Sequence, residues 1–207
     1  MSFIDEINNL ENSILENDFN IFKGDIPILF TAVHTMNQKR EDGTIKLSEP
    51  YTKAIAMYLN KYDNTFTIIK NKDTGVDSNR DNHDKLNIEL RRLIKKYNIA
   101  IVIDLHGASK DREFDVEFGT LNNLTADYSI IKELEKSFKN NGVTNIEYNN
   151  PFKGGAITQG IYNLEDVDVI QIEINGKYRD YNDIEKTKKI IDSLEVFITK
   201  YKRYINK

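Results

Sequence analysis

The stretch IAIVIDLHGAS (residues 99–109) decides the fold. It is an apolar run of strand length that stops at His106 and continues into small and polar residues. A nearly all-apolar strand is typical of the centre of a parallel sheet, where both faces are covered. We therefore predict a central strand over 99–105. Ligands and reacting groups collect at the carboxyl ends of such strands, which makes His106 a candidate site residue.

Two other segments end in a similar way. IPILFTAVHT (residues 26–35) is a second apolar strand that leads to His34. VDVIQIEINGKYR (residues 167–179) places isoleucines on one face of a strand and Gln171, Glu173 and Asn175 on the other. A carboxylate in the middle of so apolar a strand is a candidate catalytic base. Two of the three histidines in the chain therefore lie at predicted strand ends, which suggests a metal site.

The rest of the chain alternates between strand and helix patterns. The predicted strands cover 26–33, 64–70, 99–105, 115–121, 144–148 and 168–175. The predicted helices cover 4–16, about 49–61 after a Ser48 cap, 83–97, 127–140 and 182 to about 204. Such alternation predicts an α/β fold: one three-layer domain over residues 1–207, with a mixed, mostly parallel sheet and helices on both faces. We expect the loops 34–48, 71–82, 107–114 and 149–163 to meet at one sheet edge.

Length, charge and composition restrict the possible functions and the possible metal ligands of the chain. A length of 207 residues fits one domain. A net charge of −4 gives no field that would attract nucleic acid. No apolar run approaches the roughly 18 residues that span a bilayer, and the amino terminus lacks the pattern of a secretion signal, so we expect a cytoplasmic protein. The chain has no cysteine, so any metal must be held by His, Asp and Glu.

Six short motifs occur in an order that is typical of one family. They are VHT (33–35), NR (79–80), IDLHGAS (103–109), EFGT (117–120), NPFKGGAIT (150–158) and QIEIN (171–175). Together they resemble the N-formylglutamate amidohydrolase family, a branch of the zinc-dependent carboxypeptidase-like hydrolases. The resemblance runs from about residue 26 to about residue 180. It implies a zinc carboxypeptidase-like, phosphorylase/hydrolase-like fold.

The resemblance implies a zinc site with one ion per chain. His34 and His106 correspond to the metal-binding histidines. In the carboxypeptidase pattern a carboxylate follows the first histidine closely, but this chain has Asn37 at that position. Glu49 fits best as the third ligand. Glu41 and Asp42 are the alternative candidates for this third ligand.

The resemblance also implies catalytic and substrate-binding roles. Glu173 corresponds to the catalytic glutamate, and Arg112 is a second cation near the scissile carbonyl. Asp104 lies two positions before His106 and is a candidate to hydrogen-bond a histidine. The residues that resemble the substrate-binding pair and the closing loop are Asn79, Arg80, Lys153, Gly154 and Gly155.

The leading hypothesis is a zinc-dependent amidohydrolase. Its substrate would be a small N-acyl amino acid with a free carboxylate, similar to N-formylglutamate. One alternative is a zinc carboxypeptidase or a cell-wall peptide amidase that uses the same site. Another is a binding protein that keeps the fold without catalysis.

Overall fold

A computed structural model describes residues 1–162, 164 and 167–205 of the chain. Its strands are Phe19–Phe22 (β1), Ile26–Ala32 (β2), Gln38–Lys39 (β3), Ile45–Lys46 (β4), Thr65–Lys70 (β5), Ile101–Ala108 (β6), Val116–Gly119 (β7), Ile146–Tyr148 (β8) and Asp168–Asn175 (β9). Its helices are Phe3–Glu11 (α1), Thr52–Asp63 (α2), Lys85–Tyr97 (α3), Tyr128–Asn140 (α4), Ala156–Ile161 (α5) and Ile184–Ile205 (α6).

The main sheet has seven strands in the order β1-β5-β2-β6-β9-β7-β8. Its centre, β5-β2-β6-β9, is parallel throughout. The strands β7 and β8 run parallel to each other, and β7 is antiparallel to β9. The edge strand β1 is antiparallel to β5. The prediction of a mixed, mostly parallel sheet is confirmed.

Helices cover both faces of this sheet, which makes three layers. On one face, α1, α2, α4 and α6 pack through residues such as Ile7, Ile55 and Leu134 against Ile101 and Ile103 of β6. On the other face, α3 and α5 pack against the alternate residues of the central strands. The α/β domain with helices on both faces is therefore confirmed. Among the described residues, no helix is both long and apolar enough to cross a bilayer.

The register of the central strands brings the candidate residues together. Pairing of β6 with β9 sets His106 directly beside Glu173. The strand β2 pairs with the other edge of β6, and its chain continues to His34 two residues beyond Ala32. The carboxyl ends of β2, β6 and β9 are therefore neighbours, as the parallel arrangement predicts.

Local structure differs from the prediction in several places. The first helix ends at Glu11 instead of residue 16. Ser48 does not cap the second helix, which begins at Thr52 after Tyr51 in a left-handed conformation (φ 68°). The reason is that the Glu49 amide donates to the His34 carbonyl at 2.7 Å, and a turn at residues 50–51 then separates Glu49 from the helix. The sequence prediction also lacked the edge strand β1, the β3–β4 hairpin and the short helix α5.

Candidate metal and catalytic site

Three buried side chains converge at the carboxyl ends of β2 and β6. His34 follows β2, His106 lies in β6, and Glu49 lies in the turn before α2. The Nδ1 atoms of the two histidines are 3.1 Å apart, and Glu49 reaches them at 3.1 and 3.2 Å through its two oxygens. One ligand atom from each residue lies within 4.8 Å of the others. We call His34, Glu49 and His106 the convergent group, and this buried group could hold a metal ion.

An aspartate orients each of the two histidines. Asp77 lies 2.8 Å from the Nε2 of His34, and Asp104 lies 2.9 Å from the Nε2 of His106. Asp104 is itself hydrogen-bonded by Thr31 from the neighbouring strand. Each Nε2 is thus engaged by a carboxylate, which directs both Nδ1 atoms into the same space. Carboxylate partners of this kind fix the ring orientation and raise the basicity of metal-binding histidines.

The charges of this cluster shift the pKa values of its members. Burial disfavours ionisation of Glu49, but the charges and hydrogen bonds of His106 and His34 hold its pKa well below the usual value. Burial likewise opposes protonation of His106, yet Asp104 and Glu49 raise its pKa well above the usual value. The pKa of Asp77 is lowered, because contacts with His34 and Arg40 outweigh its burial.

The hairpin formed by β3 and β4 supplies two cations to the cluster. Arg40 donates from Nε to Asp77 at 2.8 Å. Lys46 lies in β4 and donates to Glu49 at 2.5 Å. The hairpin lies between His34 and Glu49 in the sequence, so it separates these two residues along the chain while they meet in the site.

Glu173 lies beside His106 in the sheet, and its carboxylate is hydrogen-bonded by Gln171. Its Oε1 accepts a hydrogen bond from the Gln171 amide at 2.9 Å. The side-chain oxygen Oε1 of Gln171 in turn accepts from the Gly155 backbone N–H at 2.8 Å. The residues of the KGG loop and the carboxylate of Glu173 are therefore linked through one glutamine.

Burial raises the pKa of Glu173 to about 7. The nearby negative charges of Glu49 and Asp104 act in the same direction, and the positive charges of His106 and Lys46 oppose them. A carboxylate with such a pKa exchanges protons readily near neutral pH, which is the property that a general base needs.

One cavity of about 410 Å³ exposes the convergent group and Glu173 to solvent. Phe152 forms part of its wall, and the Arg112 guanidinium lies over the Phe152 ring with 5.2 Å between its central carbon and the ring centre. The predicted site residues that line this cavity are His34, Glu49, Asn79, His106, Arg112, Lys153, Gly154, Gly155 and Glu173. The structure therefore brings nine of the ten predicted site residues to one place.

The two glycines of the KGG loop are required by close packing. A Cβ atom at Gly155 would lie 1.9 Å from Oδ1 of Asn79. Gly154 has a φ of +123°, which other residues rarely adopt. The Ala156 N–H also donates to the Asn79 carbonyl at 2.9 Å, so Asn79 and this loop form one wall of the cavity.

Arg80 is the predicted site residue that the structure places elsewhere. Its guanidinium pairs with Asp42 at 2.9 Å, and both side chains are more than half exposed. Arg80 lines a neighbouring cavity rather than the one that contains Glu173. Asp42 and Glu41, the competitors for the third donor position, are exposed and lie outside the convergent group, whereas Glu49 belongs to it.

Sequence reasoning missed Asp77, Arg40 and Lys46. Asp77 lies in a loop with four aspartates between residues 73 and 84, and nothing in that stretch distinguishes it. Arg40 and Lys46 lie in a charged segment that reads as a solvated loop. A short alternation in QKREDGTIK (38–46) around Asp-Gly is the one signal that could have predicted the hairpin.

Comparisons with known proteins agree with this geometry. The family model described as N-formylglutamate amidohydrolase matches residues 80–178. The matched segment includes His106 and Glu173, and it ends just before Arg179. A search of curated protein sequences gives no match.

Solved structures with a similar fold include several hydrolases. N-formylglutamate amidohydrolase from Ralstonia eutropha JMP134 is 14% identical, with a TM-score of 0.66 over 90% of this chain and 99% of that one. A bacteriophage poly-gamma-glutamate hydrolase is 12% identical, with a TM-score of 0.60 over 97% of both chains. The catalytic domain of CwlV, an N-acetylmuramoyl-L-alanine amidase from Bacillus (Paenibacillus) polymyxa var. colistinus, is 13% identical, with a TM-score of 0.51 over 84% of this chain and 96% of that one.

At 12–14% sequence identity, the likeness to these solved structures establishes the fold only. The resemblance to the family rests on the match to the family model. The resemblance indicated by the motifs is thereby confirmed over residues 80–178, and the chain is a hydrolase that acts on amide bonds.

Proposed function

We propose that the chain is a cytoplasmic, zinc-dependent amidohydrolase that cleaves a small N-acyl amino acid with a free carboxylate, similar to N-formylglutamate. One observation supports this most strongly. The donor atoms of His34, Glu49 and His106 converge in a cavity that also exposes Glu173. A donor set beside a buried carboxylate with a pKa near neutrality suits hydrolysis better than binding alone.

The donor set fits zinc. Two imidazole nitrogens and one carboxylate are the protein ligands of many catalytic zinc sites, and both histidines already have the aspartate partners that such sites use. When bound there, zinc would supply Lewis acidity and lower the pKa of water toward roughly 7.

Glu173 is the proposed general base. It would accept a proton from the attacking water and pass that proton to the nitrogen of the leaving amine. Gln171 keeps one Glu173 oxygen engaged at 2.9 Å, which orients the carboxylate while its other oxygen stays available. Arg112 would stabilise negative charge on the carbonyl oxygen, because its guanidinium lines the same cavity.

The free carboxylate of the substrate requires cationic and polar partners. Lys153 and Asn79 lie on the wall formed by the KGG loop, and Arg112 lies against Phe152. We assign carboxylate recognition to this wall. Arg80 lies outside this wall and pairs with Asp42 in the neighbouring cavity.

The cationic lining also favours a second substrate class, γ-linked glutamate peptides. Arg40, Lys46, Arg112 and Lys153 all border the cavity, so a substrate with more than one carboxylate would find several partners there. The likeness to a bacteriophage poly-gamma-glutamate hydrolase extends over 97% of both chains, which makes this class worth including in assays.

The proposed function predicts metal-dependent amide hydrolysis. The purified chain with one equivalent of zinc should release amino acid from N-formylglutamate or from γ-glutamyl oligomers. Chelation followed by dialysis should remove the activity, and added zinc should restore it. Side-chain amides of the same substrates serve as neutral controls. If the zinc-loaded chain binds these compounds without cleaving them, the alternative of a binding protein is correct.

Carboxylate recognition predicts different effects of two arginines. Arg112→Ala should lower kcat/KM for carboxylate-bearing substrates by about 10- to 100-fold, because a charge-assisted hydrogen bond contributes about 1.5–3 kcal/mol. Arg80→Ala is the matched control and should change kcat/KM about twofold or less, since surface ion pairs contribute little. The comparison needs steady-state kinetics of both variants. Equal losses in the two variants, or a larger loss for Arg80→Ala, would contradict the assignment.

The raised pKa of Glu173 predicts an acid limb in the activity profile. A general base acts only when ionised, so kcat/KM should fall with unit slope as pH decreases below the pKa of Glu173, which burial raises to about 7. Positive charge at the donor group lowers this pKa, so the limb should lie at or below pH 7. Profiles should be recorded with zinc content measured at each pH. Activity that stays constant to pH 5 with zinc retained would remove Glu173 as the base.

A further inference from the structure

Arg179 lies behind the residues that line the cavity, and neither the predicted site nor the family match includes it. It ends the 3₁₀ turn Gly176–Tyr178 that follows β9, and its side chain turns back toward the sheet. The guanidinium packs against Gly107 so closely that a Cβ atom there would lie 2.3 Å from the central guanidinium carbon. Arg179 therefore lies against the backbone of the residue that follows His106.

The guanidinium donates three hydrogen bonds to backbone carbonyls. Its Nε donates to Ile174 at 3.0 Å, one of its Nη atoms to Pro50 at 2.9 Å and the other to Ala108 at 2.9 Å. Ile174 follows Glu173 directly, and Pro50 follows Glu49 directly. Ala108 comes two residues after His106. One planar group thus joins the three backbone segments that carry two metal donors and the base.

The hydrogen bonds of Arg179 go to carbonyls rather than to a carboxylate, although burial disfavours its charge. The negative charges of Glu49 and Glu173 act in the opposite direction and offset part of this cost. A neutral residue could pack in this position without that cost. The positive charge and the fixed fork are consequently the properties that the position uses.

We propose that Arg179 is a positioning residue that sets the distance between the metal-binding pair Glu49–His106 and the base Glu173. It touches neither substrate nor metal and acts through the backbone of these residues. The inference rests on the proposed metal-dependent function. Lysine cannot replace it, because a single ammonium group cannot span three carbonyls in one plane.

The test measures zinc affinity and kinetics in Arg179→Met and Arg179→Lys beside the wild type. Both variants should bind zinc about 10- to 100-fold more weakly, the range seen when outer partners of metal ligands are removed. At saturating zinc, kcat should fall while KM stays within about threefold, because substrate-binding residues are not displaced. Arg92→Met is the matched control, since Arg92 lies on the surface and pairs with Glu89. It should leave both quantities unchanged.

Gly107→Ala provides an independent route to the same perturbation. The added methyl group would displace the guanidinium while leaving Arg179 in the chain. Gly107→Ala should reduce zinc affinity much less in the Arg179→Met background than in the wild type, because the guanidinium with which the new methyl group would clash is then absent. This cycle compares folded proteins, so circular dichroism must first show that each variant is folded. Should Arg179→Met not fold, Gly107→Ala and Arg179→Lys make the same comparison with the wild type.

The outcomes separate this inference from the proposed function. If the wild type binds no zinc, the proposed function fails. If the wild type binds zinc and the folded Arg179 variants bind it equally well with unchanged kcat, Arg179 has only a structural role and the inference is wrong. Wild-type behaviour of Arg179→Lys would overturn the claim that the fork geometry matters. Strict additivity in the cycle would show that Gly107 and Arg179 do not act through one contact.

Discussion

Glu173→Gln should reduce kcat by about 10²- to 10⁴-fold, the usual contribution of a general base. The substitution removes the proton acceptor but keeps an amide oxygen that can accept from Gln171, so the local geometry should persist. Zinc content should stay at the wild-type level, because Glu173 is not one of the convergent donors. Single-turnover kinetics together with metal analysis measures both quantities in one preparation.

The matched control for this prediction is Glu117→Gln. Glu117 is a buried carboxylate directly beside Glu173 in the register of β7 and β9. Its Oε1 accepts from the Asn150 and Phe152 backbone N–H groups, and an amide oxygen can do the same. We expect kcat within a few-fold of wild type. A similar loss in both variants would mean that any buried carboxylate in this region is required for structure, and Glu173 would lose its assigned role.

His34→Ala and His106→Ala should each lose the metal site. Each substitution deletes a donor nitrogen and also removes the histidine partner of a buried aspartate, Asp77 or Asp104. The loss of zinc affinity should exceed the roughly 10- to 100-fold caused by removing an outer partner. Mass spectrometry of native protein measures the bound metal, and isothermal titration measures its dissociation constant.

The third histidine provides an internal control. His83 lies in the turn before α3 and is not part of the convergent group. Its backbone N–H donates to the Asp81 carboxylate at 2.8 Å. His83→Ala should keep both zinc affinity and kcat. If all three variants lose zinc equally, the metal is held by a non-specific surface site and the convergent group is not the zinc site.

The central strands are predictable from sequence because their residues are buried on both faces. The prediction for β9, residues 168–175, agrees with the structure at both ends. The position of His106 at the end of an apolar run follows from the same local pattern. Since parallel strands bring their carboxyl ends together, His34, His106 and Glu173 could be expected to meet without knowledge of side-chain positions.

Features that depend on distant partners are much harder to predict. The edge strand β1 forms because Phe19–Phe22 pairs with β5, and that pairing is not encoded in four residues. Asp77 resembles its neighbouring aspartates until folding sets it 2.8 Å from His34. Arg80 has the motif of a substrate-binding residue, but Asp42 lies within reach and pairs with it. Local pattern cannot decide between such competing partners.

The wide separation of the convergent donors along the chain links any bound ion to the folding equilibrium. Glu49 and His106 are 57 residues apart, and they meet only after β2 has paired with β6 and the turn before α2 has closed. An unfolded chain therefore lacks this donor set. A ligand that binds only the folded state at a concentration 100 times its dissociation constant stabilises that state by about 2.7 kcal/mol. For a domain whose net stability is a small difference between large terms, the supply of metal would then govern how much folded protein persists.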